Sequence, residues 1–234
     1  MTADTHLRVQ RGMSAQLAAR QVRMDAGETP LGWKVAFSTP AAMARLGTSA
    51  PLVGFLTSAS VIPSNGVVSL AGWSKPAAEP EIAVHMGKDL PAGADDATAL
   101  AAVAGLSPAI ELADVSLPPE NIEALLETNI YHRCVVLGSP QKRRSGGDVQ
   151  GLIGRILQNG VEVARVADPE AATGKLLNIV RNVADELASA GEMLRAGEII
   201  ITGSITPPIF LESGDASIVF ELDPVDTVSV RFSQ

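Results

Sequence analysis

Cysteine is nearly absent from this 234-residue sequence: Cys134 stands alone, so the chain forms no internal disulfide and no thiolate metal cluster. Any metal it binds must take oxygen or imidazole ligands. Aromatic residues are scarce too, at 3%, which disfavours the stacking platforms used by single-stranded nucleic acids and large flat cofactors. Lys and Arg number 18 against 26 Asp and Glu, a net charge of -8, and the cations do not cluster into a patch. Such a pattern offers no footprint for DNA, RNA or an anionic membrane and mainly favours solubility. No apolar run approaches the roughly 20 residues that cross a bilayer, and the opening MTADTHLRVQRGMSAQ has no signal-peptide core. A cytoplasmic protein is expected.

What the chain does have is 46% hydrophobic content, enough for a substantial core in one domain over residues 1–234, with residues 1–30 as a helical appendage. Met13 to Ala26 reads as a helix stopped by Gly27, and Gly32 to Phe37 as a strand. A short helix at Pro40 to Leu46 leads into strand-like pieces at Val53 to Leu56, Ser60 to Ile62 and Val67 to Leu70. Further strands are expected at Glu81 to Met86, Pro108 to Ala113 and Cys134 to Leu137, with helices at Ala97 to Ala104 and Pro119 to Leu126. The Lys-Arg-Arg run within Gln141 to Asp148 reads as a solvated loop. Asn159-Gly160 suits a type I′ turn between two extended runs. A helical region then runs from Asp168-Pro169 to Gly191, and strands return at Glu198 to Thr202, Ala216 to Phe220 and Thr227 to Phe232.

The pattern richest in chemistry is Glu79-Pro80-Glu81 at the entrance to the apolar run Ile82-Ala83-Val84. Residues two apart on a strand share a face, so the two carboxylates lie side by side. A cation would offset their repulsion, and hard oxygen ligands suit Mg, Mn or Ca. Glu111, between Ile110 and Leu112, is a third acid in an apolar strand and would complete the set if the strands are neighbours. The competing reading makes Glu79 and Glu81 the solvated face of an edge strand, where Pro80 is tolerated.

The blocks Gly32-Trp33-Lys34-Val35, Glu79-Pro80-Glu81-Ile82-Ala83, Pro108-Ala109-Ile110-Glu111-Leu112-Ala113-Asp114 and Gly197-Glu198-Ile199-Ile200-Ile201-Thr202-Gly203-Ser204 resemble, in this order, blocks of the 2-keto-4-pentenoate hydratase branch of the fumarylacetoacetate hydrolase superfamily. The Glu-x-Glu strand followed thirty residues later by the Ile-Glu strand is the most specific part. The resemblance implies an α+β fold, a mixed β-sheet roll with flanking helices, assembled as a homo-oligomer. It implies Mg2+ or Mn2+ held by Glu79, Glu81 and Glu111, a small oxo-acid substrate, and a place in aromatic-compound catabolism. Lys34 matches an active-site lysine and is expected to move a proton or bind the substrate carboxylate; by itself it reads as a surface lysine on a strand. Thr202, Gly203 and Ser204 match a pocket-lining block, which otherwise reads as a tight turn.

Three departures stand out. Leu56-Thr57-Ser58-Ala59 replaces a Leu-Leu-Asp-Asp block, removing an acidic pair at Ser58 and Ala59. Asn129-Ile130-Tyr131-His132-Arg133 brings bulk, an imidazole and a cation where relatives have small residues. The chain is also shorter at its amino end than typical hydratases. His132 is the candidate replacement acid or base because imidazole titrates near neutral pH; a structural histidine is the plain alternative. His85 shares strand parity with the acids but twist carries it away, and His6 falls in a frayed terminus. The expected activity is metal-dependent hydration of a 2-hydroxy-2,4-dienoate or 2-oxo-4-enoate. The alternatives are decarboxylation or carbon-carbon hydrolysis of a related oxo acid, or non-catalytic binding of a metal or oxo acid.

Overall fold

The computed structural model describes residues 3–233, apart from the Arg143 side chain. The remaining residues of the expected 1–30 appendage and of the chain's end lie outside the described residues. In chain order the first half contains helix α1 (Ala3–Asp25), strand β1 (Pro30–Ala36), helix α2 (Pro40–Leu46), strands β2 (Leu52–Thr57), β3 (Val61–Ile62), β4 (Gly66–Ser69) and β5 (Pro76–Met86), helix α3 (Asp96–Ala102), strand β6 (Val103–Asp114), helix α4 (Ile122–Glu127) and strand β7 (His132–Leu137). The second half adds strands β8 (Ile153–Gln158) and β9 (Val161–Val166), helices α5 (Glu170–Thr173) and α6 (Leu176–Ser189), and strands β10 (Ile199–Ser204), β11 (Ile209–Phe210), β12 (Ser217–Asp223) and β13 (Asp226–Ser233).

The larger sheet runs β2-β1-β10-β5-β6-β7-β3, with β11 also pairing β5, and the smaller runs β4-β13-β12-β8-β9. Both are mixed, since β1 is parallel to β10, β3 to β7 and β4 to β13. Strand alternation sorts the side chains. Ile82 and Val84 of β5, Leu106, Ile110 and Leu112 of β6 and Val136 of β7 join Ile156, Phe220 and Val230 of the smaller sheet in the main core. Helix α6 adds Leu176, Val180, Val183 and Leu187 at helical spacing; burying each such side chain contributes about 1.5–3 kcal/mol. The opposite face gathers Leu56, Ala83, Ala109, Val135 and Ile201 into one buried cluster. Leu56 and Val135 come from the two flanks of the sheet, so the sheet curls around this face: the mixed roll that the resemblance implies.

Gly32 makes the β1–β10 pairing possible. Its φ is +147°, and a Cβ there would stand 2.0 Å from the Ile199 carbonyl oxygen. The Asn159-Gly160 hairpin forms as expected, with φ of 53° and 81° at the two turn residues and antiparallel pairing of β8 with β9.

Several local expectations need correction. Helix α1 starts at Ala3 and contains His6, because Val9 extends the buried side made by Gly12, Met13 and Gln16 over α4. The helical region after Pro169 breaks at Gly174 (φ 85°, ψ 178°) into α5 and α6. The helix expected to reach Ala104 ends at Ala102, where β6 begins. Arg144 is not solvated: its guanidinium donates to the Asp148 and Gln150 carbonyls. Strand β5 is central rather than an edge, flanked by β10 and β6, which overturns the solvated-face reading of Glu79 and Glu81.

Candidate metal centre and cavity

Glu79, Glu81 and Glu111 converge on the curled face of the larger sheet. Strand parity puts Glu79 and Glu81 on one side of β5, and the β5–β6 register sets Glu111 directly opposite Glu79. One ligand oxygen from each carboxylate lies within 4.8 Å of the others. Pro80 is tolerated in this central strand because regular pairing with β10 breaks between Ile201 and Ser204, just before it, and past the break its carbonyl accepts from Ile205 N at 2.9 Å. The same break gives Gly203 a φ of 95° and turns its N–H onto Glu81 Oε2 at 2.6 Å.

Lys34 reaches the cluster from β1, across β10. Its Nζ lies 2.5 Å from Glu111 Oε1 and donates to the Ile130 carbonyl at 3.0 Å. Both partners are buried, at 2% and 0% side-chain exposure. His132 Nδ1 lies 2.7 Å from the same Oε1. An ionised carboxylate only accepts, so Nδ1 carries the hydrogen and Nε2 is the ring's acceptor. The Ile130 carbonyl is aimed by three successive left-handed residues, Asn129, Ile130 and Tyr131 (φ 58°, 51° and 66°). Left-handed backbone is costly for a β-branched residue. It is held by the Asn129 amide, which accepts from Phe55 N at 2.8 Å and donates to Phe55 O at 2.9 Å.

The acids divide into two electrostatic classes. Burial and the neighbouring Glu111 charge push Glu79 up to about 7. Glu81 is raised well above the carboxylate range by burial and by both neighbouring acids. Burial also works against the Glu111 charge, but Lys34 and the His132 hydrogen bond outweigh it and hold this carboxyl below the usual range. His132 itself is lowered by desolvation and is therefore neutral at pH 7. Three buried atoms of the cluster have no hydrogen-bond partner: Glu81 Oε1, Glu111 Oε2 and His132 Nε2. Orphaned buried carboxylate oxygens are costly, and two of them beside Glu79 form an all-oxygen donor set that fits a hard divalent cation.

A cavity of about 500 Å³ opens beside the cluster, with Lys34, Glu79, Gly203 and Ser204 on its wall. Thr202 does not line it; as the other face of β10 requires, its hydroxyl donates to the Ile82 carbonyl at 3.0 Å. His132 meets the cluster behind Glu111 and is not part of the cavity wall. His85 faces Ser107 Oγ at 2.8 Å, outside the three-acid set. Ser58 and Ala59 lie beyond the end of β2, while Gly54 is the residue paired with Lys34. Phe55, Leu56 and Thr57 separate Ser58 from that pair, and neither Ser58 nor Ala59 is on the cavity wall, so the missing acids leave this cluster itself intact. Sequence reasoning missed the Ile130 carbonyl and the wall residues Phe37 and Phe210, because neither a backbone oxygen nor an isolated apolar side chain carries a chemical signature.

A family model for the fumarylacetoacetate (FAA) hydrolase C-terminal domain matches residues 33–231. A 4-oxalocrotonate decarboxylase of Pseudomonas sp is 29% identical over 225 residues, covering 92% of this chain and 83% of the relative. The 2-keto-4-pentenoate hydratase 1 of Dechloromonas aromatica (strain RCB) is 27% identical over 210 residues, 88% of this chain and 79% of the relative. Among solved structures, 4-oxalocrotonate decarboxylase from Pseudomonas putida G7 complexed with calcium and acetate matches with a TM-score of 0.84 at 28% identity, over 93% of this chain and 83% of that chain. Its complex with magnesium and adipate matches with a TM-score of 0.83 at 27% identity over the same shares. With the family model spanning most of its length and the curled mixed sheet matching that solved fold, this chain belongs to the fumarylacetoacetate hydrolase C-terminal family.

Proposed function

We propose that this chain is a divalent-metal-dependent hydratase of small 2-hydroxy-2,4-dienoates, converting 2-hydroxypenta-2,4-dienoate and water to 4-hydroxy-2-oxopentanoate. The observation that carries the reading is the pair of unpartnered oxygens on Glu81 and Glu111, next to a buried lysine on a cavity wall. Glu79, Glu81 and Glu111 would hold Mg2+ or Mn2+. When bound, the ion supplies Lewis acidity toward the carboxylate and 2-oxo oxygens of an oxo acid.

The chain's own residues do the rest. An ammonium has three donors; Lys34 commits two, to Glu111 and to the Ile130 carbonyl, which leaves one N–H to deliver a proton to C5 of the dienoate, while the 2-hydroxyl proton leaves to form the 2-oxo group and restores the ammonium. Water then adds at C4 of the resulting enone, with a proton at C3. His132 orients Glu111 through Nδ1 and serves as a positioning residue. The Gly203 N–H holds Glu81 in place.

Decarboxylation of a 2-oxo dicarboxylate is the second reading, favoured by the decarboxylase relatives and by the absence of acids at Ser58 and Ala59. Proton NMR of the purified protein with 2-hydroxypenta-2,4-dienoate and Mg2+, against an EDTA control, separates the two. Product formed only with metal supports the hydratase; no product from the dienoate, with carbon dioxide released from 4-oxalocrotonate, transfers the assignment to the decarboxylase.

The acid cluster also sets a pH dependence for metal binding. A metal takes the ionised carboxylates, and Glu79, pushed up to about 7, holds a proton below that pH. Protons therefore compete as the pH falls, and Mg2+ affinity should drop at least about tenfold per unit below 7, since Glu81 is raised as well. Calorimetric Mg2+ titrations at pH 6 and 8, in buffers of different ionisation enthalpy, should show this loss together with proton release. Equal affinity at the two pH values would contradict it.

A further inference from the structure

The chain is poor in aromatic residues, yet Phe37, Tyr131 and Phe210 all border the cavity beside the acid cluster. Ala42, Val115 and Pro119 extend the apolar surface, and the uncharged polar side chains on the wall are the hydroxyls of Ser38, Thr39, Ser204 and Thr206, besides Tyr131. The charged groups on the wall are Lys34 and Glu79, both at the cluster end. The Tyr131 hydroxyl is committed, donating to the Leu117 carbonyl at 2.6 Å. Two neighbouring cations do not line the cavity: Lys75 Nζ stacks over the Phe210 ring, 4.4 Å from its centre, and Arg133 bonds Asp114 at 3.1 Å and covers Trp73.

We infer that the preferred substrate carries an uncharged alkyl or aryl tail beyond its 2-oxo acid head, and that acids with a second carboxylate are poor ligands. The inference rests on the 2-oxo acid reading of the site. A carboxylate against these walls would give up part of its water for hydroxyls and apolar surface and find no cation on the wall beyond Lys34, whereas each methylene buried there raises affinity about fourfold. The cavity, at about 500 Å³, has room for more than the five carbons of the shortest dienoate.

Calorimetry on the Mg2+-loaded protein with pyruvate, 2-oxopentanoate, 2-oxohexanoate, 4-phenyl-2-oxobutanoate and 2-oxoadipate tests this without turnover. Affinity should rise about tenfold or more from pyruvate to 2-oxopentanoate, and rise again for the phenyl acid. 2-Oxoadipate, with the same six carbons as 2-oxohexanoate, should bind at least about tenfold more weakly. Phe210→Arg, which puts a cation on the wall, should recover about tenfold for 2-oxoadipate. Equal or tighter binding of 2-oxoadipate by the native chain overturns the inference, as does metal-dependent binding of every acid regardless of tail. If Mg2+ does not improve the binding of any of them, pyruvate included, the 2-oxo acid reading falls and the tail inference with it.

Discussion

Replacing Glu111 with Gln should destabilise the protein by about 3–5 kcal/mol, because it strips the Lys34 ammonium of its counter-charge inside the fold. The pair is nearly sealed from water, and among the described residues the Ile130 carbonyl is the only other hydrogen-bond partner of Nζ, so little else can take over the lost interaction. Urea unfolding in EDTA measures the cost as a lower midpoint at unchanged slope. Added Mg2+ should not restore it, since the substitution removes both a ligand and the charge that balanced Lys34. A loss below about 1 kcal/mol would mean that the pair behaves like an exposed one.

Lys34→Met should behave differently. It removes the cation and leaves three acids, so the cluster becomes more demanding of a metal, and Mg2+ should stabilise this variant at least as strongly as the native chain. Turnover, however, should fall about 10²–10⁴-fold, the usual contribution of a positioned proton donor. Mg2+ titration followed by NMR kinetics on 2-hydroxypenta-2,4-dienoate separates the two effects. Retained turnover would remove Lys34 from the proton path. Lost Mg2+ binding would instead make the lysine part of the metal site's architecture.

The two substitutions differ because Glu111 serves two networks. Its Oε1 receives Lys34 and His132, and its Oε2 remains without a partner. This asymmetry keeps Glu111 ionised while Glu79 and Glu81 are pushed upward by burial, so the cluster carries less than its full charge until a cation arrives. The buried neutral His132 fits this arrangement as a brace for Glu111.

Much of this arrangement can be traced in the amino-acid order, and the limits have physical causes. Glu79 and Glu81 share a face because a strand repeats every two residues, and the Asn159-Gly160 turn follows from the φ > 0 that these residues tolerate. The resemblance groups Thr202, Gly203 and Ser204 as one pocket-lining block, but the same two-residue alternation sets Thr202 on the other face of β10. Its hydroxyl turns to the Ile82 carbonyl while Gly203 and Ser204 face the cavity, and the register slip after Ile201 separates them. His132 was legible as a titratable group near the site, but not as one placed behind Glu111.

By itself, then, the sequence determined local periodicity: the side-by-side acids of β5, the amphipathic face of α6 and the tight turn of the β8–β9 hairpin. Tertiary structure alone decided that Glu111 stands opposite Glu79, that Lys34 reaches it from β1 over the two intervening strands β10 and β5, and that Phe37, Tyr131 and Phe210 share one wall. Side-chain alternation is a property of neighbouring residues, whereas strand order, register and curl are set by burying apolar surface between residues far apart in the chain.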